Sequence, residues 1–316
     1  MAVYTHVSAE ALSAFLTRYD VGDLVSIKGI AEGVENSNYM VDTTRGRYFL
    51  TLYEKRVDSG DLPFFKALLD RLASGGCRVP RMLPDRQGVT IQTLAHRPAC
   101  LIEFLTGVSP SHPTAMQAHA VGAAMADMHA AVAGAPLDRR NTLGPEDWQA
   151  LFAACADQLD EIEPGLRARV AASLDDVVQR WPRDLPRTII HADLFPDNVL
   201  MLEDKVTGLI DFYFACTDIR AYDLAIMHSS WAFDATGAHY DAAVGDAAID
   251  GYRSRGALSA AERAALPVLA RGACLRFLLT RAYDWINTPA DALVTRKDPL
   301  AYRHRLDTYE ERNLFA

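Results

Sequence analysis

The sequence predicts an α+β fold in two parts, an antiparallel sheet with one helix followed by a mainly α-helical region. Three observations carry this expectation. Short strand-like runs broken by Gly-, Asn- and Asp-rich turns occupy the chain up to Phe104. One amphipathic helical stretch sits among them. Beyond Gly107 the texture changes to long Ala/Leu-rich amphipathic stretches.

Taken in order, a short helix is expected from near Ser8. Leu24–Ile30, Asn38–Thr43 and Arg47–Glu54 then read as an antiparallel meander. Asp61–Ala73 repeats Leu62, Phe65, Leu68, Leu69 and Leu72 at helical spacing and stops at Gly75-Gly76. Val89–Leu94 and Ala99–Phe104 are two further strand candidates. Helices are expected over about 113–133, 146–158, 164–181, 218–232, 239–255 and 259–287, with a β-like interruption near 187–212. At Glu103-Phe104-Leu105-Thr106-Gly107 a strand gives way to a Gly/Ser/Pro-rich passage, which sets the expected boundary between domains 1–105 and 106–316.

Composition narrows the function classes. Half of the 316 residues are hydrophobic and 23% are charged, as in an ordinary globular protein. The formal charge is −9, from 32 basic against 41 acidic residues, and no basic run resembles a phosphate-tracking surface. Nucleic acid and anionic membrane are therefore not expected partners, and any bound phosphate must be met locally. Cys77, Cys100, Cys155, Cys216 and Cys274 are widely spaced with no C-x-x-C pair, which argues against a zinc site or a disulfide framework. The N-terminal residues lack a basic segment followed by an apolar one, and no run of eighteen apolar residues occurs, so a cytoplasmic location is expected.

The chemistry concentrates in Ile190-His191-Ala192-Asp193-Leu194-Phe195-Pro196-Asp197-Asn198-Val199-Leu200, followed by Gly208-Leu209-Ile210-Asp211-Phe212. Phosphoryl transfer to a hydroxyl needs a carboxylate that orients the hydroxyl and accepts its proton, plus oxygen ligands that hold Mg²⁺ against a triphosphate. Asp193, Asn198 and Asp211 supply that set. A hard cation that keeps water suits one or two carboxylate or amide oxygens together with phosphate oxygens, so Mg²⁺ is expected rather than zinc or calcium. Asn and Asp are also ordinary turn residues. The joint pattern H-x-D-x-x-x-x-N, strand, turn, strand, I-D-F is what separates the two readings.

These residues resemble the aminoglycoside phosphotransferase and choline kinase superfamily, over nearly the whole chain. The resemblance implies a two-lobed protein-kinase-like fold, with an N-lobe of antiparallel sheet plus helix and a mainly α-helical C-lobe. It implies ATP as phosphoryl donor, Asp193 as catalytic base, and Asn198 and Asp211 as Mg²⁺ ligands. Met125-Ala126-Asp127-Met128-His129 is similar to a helical motif of the same group, and Asp223 in Ala221-Tyr222-Asp223-Leu224-Ala225 also fits; structural support is the expected role of His129 and Asp223. Two stretches, Tyr48–Arg56 and Arg276-Phe277-Leu278 through Tyr283-Asp284 to Lys297-Asp298-Pro299, resemble the homoserine kinases of the bacterial threonine pathway, which implies L-homoserine as the small-molecule substrate.

The connection of the first two strands, Ala31 to Tyr39, reads either as a polar hairpin turn or as a nucleotide contact, in which backbone N–H groups of Ser37 and Asn38 and the Ser37 hydroxyl would form a phosphate nest. Glu103-Phe104-Leu105 occupies the interlobe hinge by resemblance, where the backbone of Glu103 and Leu105 would bind adenine. Two positions depart from the family. Thr51 stands where a phosphate-pairing lysine is usual, with Lys28, Arg47 or Lys55 as possible compensators, and Tyr213 follows Asp211-Phe212 where many kinases have glycine.

Homoserine is a zwitterion, so its pocket should offer a guanidinium to the carboxylate. Arg276, Arg281, Tyr283 and Trp285 fall on one long helical stretch, with Trp231 and Tyr252 on others, and Arg276 is the expected substrate ligand. Two alternatives stay open. One is a kinase for another small alcohol, such as choline, an aminoglycoside, a sugar derivative or a hydroxylated amino acid. The other is a non-catalytic nucleotide-binding scaffold, suggested by Thr51.

Overall fold

The structure, a computed structural model, describes residues 5–30, 36–54, 58–288 and 296–315. The chain divides into two compact units between Thr106 and Gly107.

The first unit opens with α1 (Ala9–Leu16), whose N-cap Ser8 accepts the Ala11 N–H through its hydroxyl. Strands β1 (Leu24–Ile30), β2 (Asn36–Thr43) and β3 (Gly46–Tyr53) follow, then α2 (Leu62–Ser74), β4 (Gln92–Leu94) and β5 (Arg97–Glu103). The sheet order is β1-β2-β3-β5-β4, with every neighbouring pair antiparallel. Alternation sorts the strand residues: Tyr39 and Val41, Leu50 and Leu52, and Ala99 and Leu101 join one apolar cluster with Leu12, Phe15 and Leu16 of α1. Helix α2 buries Leu62, Phe65, Leu68, Leu69 and Leu72, the stripe expected from their spacing. The expected strand Val89–Leu94 shortens to β4. Val89 is drawn into a local loop in which its N–H meets the Asp85 carboxylate and its carbonyl meets the Asp85 N–H.

The second unit contains α3 (Ala115–Val132), α4 (Pro145–Cys155), the single turn α5 (Leu159–Ile162), α6 (Leu166–Arg180), α7 (Arg220–Trp231), α8 (Ala242–Arg255), α9 (Ala260–Asn287) and α10 (Leu300–Glu311). Two small antiparallel pairs interrupt them, β6 (Arg187–Ile190) with β9 (Cys216–Ile219), and β7 (Val199–Leu202) with β8 (Lys205–Leu209). A capping box between Ser259 and Glu262 starts α9, and the same Glu262 carboxylate receives a fork from Arg220 on α7, with Nη2 at 2.7 Å from Oε1. Helix α9 buries most of its residues between Leu266 and Ala282 and packs against α4, α6, α7 and α10.

Helices α3 and α8 meet through glycines. A Cβ on Gly122 would lie 2.2 Å from the Ala248 carbonyl oxygen, and one on Gly251 would lie 2.0 Å from that of His119. Any larger residue would force the two backbones apart. Helix α10 has no counterpart among the expected helices. Its buried positions are Ala301, Tyr302, Arg305, Leu306 and Tyr309, and an arginine within the stripe masks the apolar period. Among the described residues no helix is long and apolar enough to cross a membrane.

Candidate active site

Strand β6 delivers His191 into a loop whose backbone is fixed at almost every polar group. The Asp223 carboxylate, at the start of α7 and fully buried, accepts the His191 N–H at 2.9 Å and the Ala192 N–H at 2.8 Å. His129 of α3 approaches the same carboxylate at 3.0 Å through Nε2, while its Nδ1 lies 3.0 Å from the Tyr252 hydroxyl of α8. Hydrogen bonds to the charged form outweigh the burial that opposes it, so Asp223 stays ionised below the usual carboxylate range. The Arg276 guanidinium donates to the Ala192 carbonyl, and the Trp231 indole N–H donates to the Leu194 carbonyl at 3.0 Å.

The clamp holds a left-handed residue. Ala192 has φ of 63°, a conformation that costs a non-glycine residue about 1 kcal/mol or more and that persists only where the surroundings fix it. The consequence falls on the next residue. Asp193 takes its own N–H to His191 Nδ1 at 3.3 Å, and His191 Nε2 lies 2.9 Å from the Ile210 carbonyl. One ring nitrogen thus accepts and the other donates, as in a neutral imidazole, and burial holds the His191 pKa below its ordinary value.

Asp193, Asn198 and Asp211 come together. The Asn198 amide nitrogen donates to the Asp193 carbonyl at 2.7 Å and to its carboxylate Oδ2 at 3.1 Å. With the amide nitrogen facing those two acceptors, Asn198 Oδ1 faces the other way. The β7–β8 hairpin returns Ile210, whose N–H donates to the Asn198 carbonyl at 3.0 Å, so Asp211 emerges beside Asn198. Asp211 is itself left-handed, with φ of 64°, and exposed. Burial pushes the Asp193 carboxyl up to about 7; the Arg276 cation opposes the rise, and the Asp211 and Asp197 charges add to it.

Arg276, the expected substrate ligand, lies elsewhere. It is 1% exposed, with its guanidinium 4.5 Å from the Phe277 ring centroid and 5.4 Å from that of Phe214, beneath the loop it braces. Trp231 and Tyr252 are likewise buried supports rather than pocket walls. A cavity of about 550 Å³ opens beside the loop, lined by Phe195, Pro196 and Asp197 on one side and by Arg281, Lys297 and Tyr302 on the other. The sequence carries no signal for Tyr302, because the period of α10 is masked by the buried Arg305.

In the first unit, Ser37 is fully buried, with its hydroxyl donating to Glu54 at 2.8 Å and accepting the Thr5 N–H. It points with Tyr39 into the α1 side of the sheet, a departure from the phosphate-facing hydroxyl expected. Asn38 projects from the opposite face, where its Oδ1 accepts the Thr51 hydroxyl at 2.8 Å. Thr51 thus serves a cross-strand polar pair at the position where the resemblance would place lysine. Arg47 is forked onto Asp42, Lys28 is exposed on β1, and Lys55 and the segment 31–35 lie outside the described residues. Glu103 holds Arg81, and Leu105 is half-buried.

The sequence model of the phosphotransferase enzyme family matches residues 26–258. The chain belongs to that family. This phosphotransferase is 54% identical to the homoserine kinase of Gluconacetobacter diazotrophicus, over 97% of this chain and 96% of that protein. It is 51% identical to the homoserine kinase of Granulibacter bethesdensis, over 97% and 96%. Among solved structures it is similar to an amicoumacin kinase in complex with AMP-PNP, Ca²⁺ and Ami (TM-score 0.72, 16% identity, covering 98% of this chain and 95% of that one). A spectinomycin phosphotransferase in complex with ADP and spectinomycin gives a TM-score of 0.71 at 13% identity, covering 98% and 97%. These likenesses bear out the kinase-like α+β fold expected from the sequence.

Proposed function

We propose that this phosphotransferase moves the γ-phosphoryl group of ATP to the side-chain hydroxyl of L-homoserine, giving ADP and O-phospho-L-homoserine. Two full-length relatives above 50% identity bear the name homoserine kinase, which supports the acceptor. The observation that carries the chemistry is the convergence of Asp193, Asn198 and Asp211 on one rigid loop-and-hairpin, beside a cavity of small-molecule size.

In this reading Asp193 orients the acceptor hydroxyl and takes its proton as the phosphoryl group arrives in line. The loop clamp supplies catalysis by position, since the base needs no rearrangement when the alcohol binds. Asn198 Oδ1, which accepts no hydrogen bond among the described residues, and the exposed Asp211 carboxylate suit Mg²⁺. Among the described residues no group of three or more His, Cys, Asp or Glu forms a metal cage, and Mg²⁺ is a cation that takes most of its octahedron from phosphates and water. When bound, that ion neutralises charge on the transferring phosphoryl group. In this reading the first unit is the nucleotide-binding domain, with the Glu103 carbonyl and the Leu105 backbone as its contacts, while Asn38, laddered to Ile30 and Thr51, has its backbone taken up by the sheet. The second is the catalytic and substrate-binding domain. The intact acid-amide-acid set speaks against a scaffold that has lost catalysis.

The test is ADP formation with Mg-ATP against L-homoserine, L-serine, L-threonine, choline and kanamycin. Homoserine should give the highest kcat/KM by a wide margin. Turnover of another acceptor in its place would reassign the substrate, and stimulation by none would favour the scaffold.

A further inference from the structure

We propose that Arg281 binds the α-carboxylate of the acceptor and is thereby the residue that selects an amino acid over a plain amino alcohol. The inference rests on the homoserine reading above and adds the group that recognises the substrate's anionic end.

Three cations line the cavity beside the base loop, Arg281, Lys297 and Arg305, and they face the acids Asp197 and Asp298. Two of the cations are occupied. Arg305 is buried and donates to the carbonyls of Ser229, Ala301 and Asp234, so it ties α10 to the end of α7. Lys297 is paired with Asp197 at 3.6 Å. The Asp298 carboxylate accepts the Leu300 N–H at 2.8 Å in the turn that leads into α10.

Arg281 is different. Among the described residues its guanidinium has no carboxylate partner. Its one hydrogen bond there is a 3.2 Å donation from Nη1 to the Asp298 carbonyl, and its guanidinium carbon lies 4.6 Å from the Tyr302 ring centroid. A guanidinium carries five N–H donors in a fixed fork that matches a carboxylate. The cation–π contact with Tyr302 helps hold the guanidinium in place, and partial burial desolvates a cation that has no carboxylate partner among the described residues. Arg281 and Tyr302 line the same cavity as Phe195, Pro196 and Asp197, which follow Asp193 in the base loop. An acceptor whose hydroxyl meets Asp193 would turn its carboxylate into this cavity toward Arg281. That is the acceptor role expected of Arg276, transferred five positions along α9 to a residue that reaches the cavity.

The experiment compares the parent enzyme with Arg281→Met and Arg281→Lys, using three ligands. L-Homoserine is the substrate, L-2-aminobutyrate keeps the carboxylate but lacks the hydroxyl, and 3-amino-1-propanol keeps the hydroxyl but lacks the carboxylate. Arg281→Met should raise the KM for homoserine and the inhibition constant of L-2-aminobutyrate by about 30- to 100-fold, as loss of a charge-assisted fork does. Inhibition by 3-amino-1-propanol and the KM for ATP should stay within about threefold. Arg281→Lys should fall between parent and Met, and it serves as the readout if the Met variant does not fold. Equal shifts for all three ligands, or none, would overturn the assignment while leaving the homoserine reading intact. A parent enzyme that ignores homoserine would overturn both.

Discussion

Asp223 and Arg276 grip opposite ends of Ala192, the first through the N–H at 2.8 Å and the second through the carbonyl, although they approach from different helices, α7 and α9. The peptide between those two charges sets the direction of the Asp193 side chain, which follows directly in the chain.

Asp193→Asn should cut kcat by about 10²- to 10⁴-fold, the range for loss of a general base. The KM for ATP should stay close to that of the parent, because the amide keeps the shape of the carboxylate. Steady-state kinetics decide it, and near-normal turnover would remove Asp193 from the mechanism.

Asp223→Ala should destabilise the protein by about 3 kcal/mol or more. It leaves the N–H groups of His191 and Ala192 and the imidazole of His129 buried without their acceptor. Urea unfolding measures the loss, and a variant as stable as the parent would show that the clamp contributes little.

Arg276→Met should lower kcat and move the acid limb of the pH–activity profile upward. The Arg276 cation holds the Asp193 pKa down against burial, so its removal lets that carboxyl protonate at higher pH. A profile that falls in height without moving would assign Arg276 a packing role alone.

Stability should decline in mild acid through His228. Burial pushes its imidazole down to about 3 from an ordinary 6.5, with Nδ1 2.6 Å from the Tyr309 hydroxyl. Between those two values the unfolded chain binds the proton and the folded one does not, so stability rises with pH across the window and falls as pH drops below 6.5. Each such group contributes a slope approaching about 1.4 kcal/mol per pH unit. His228→Gln should flatten the pH 5–7 stability curve by up to that amount, and an unchanged slope would point to His191 and other groups instead.

The base loop is legible in the sequence because its pieces are contiguous: Asn198 lies five positions after Asp193, and a short hairpin brings Asp211 back. The α2 stripe was legible for the same local reason. Contacts that join distant residues were not. Nothing near Arg276 says that its partner is a carbonyl 84 positions earlier, and an arginine on a helix reads alike whether it braces a loop or lines a cavity. Ser37 was misread because a one-residue difference along a strand exchanges the two faces of a sheet. Helix α10 escaped because the buried Arg305 interrupts its apolar period.

The glycine crossing of α3 and α8 reaches further than packing. Because Gly122 and Gly251 bring those backbones together, His129 on one helix and Tyr252 on the other touch, and the pair leads to Asp223 and so to the base. A single methyl group inserted at that crossing would therefore be felt as chemistry: activity would report the spacing of two helices that never meet the substrate.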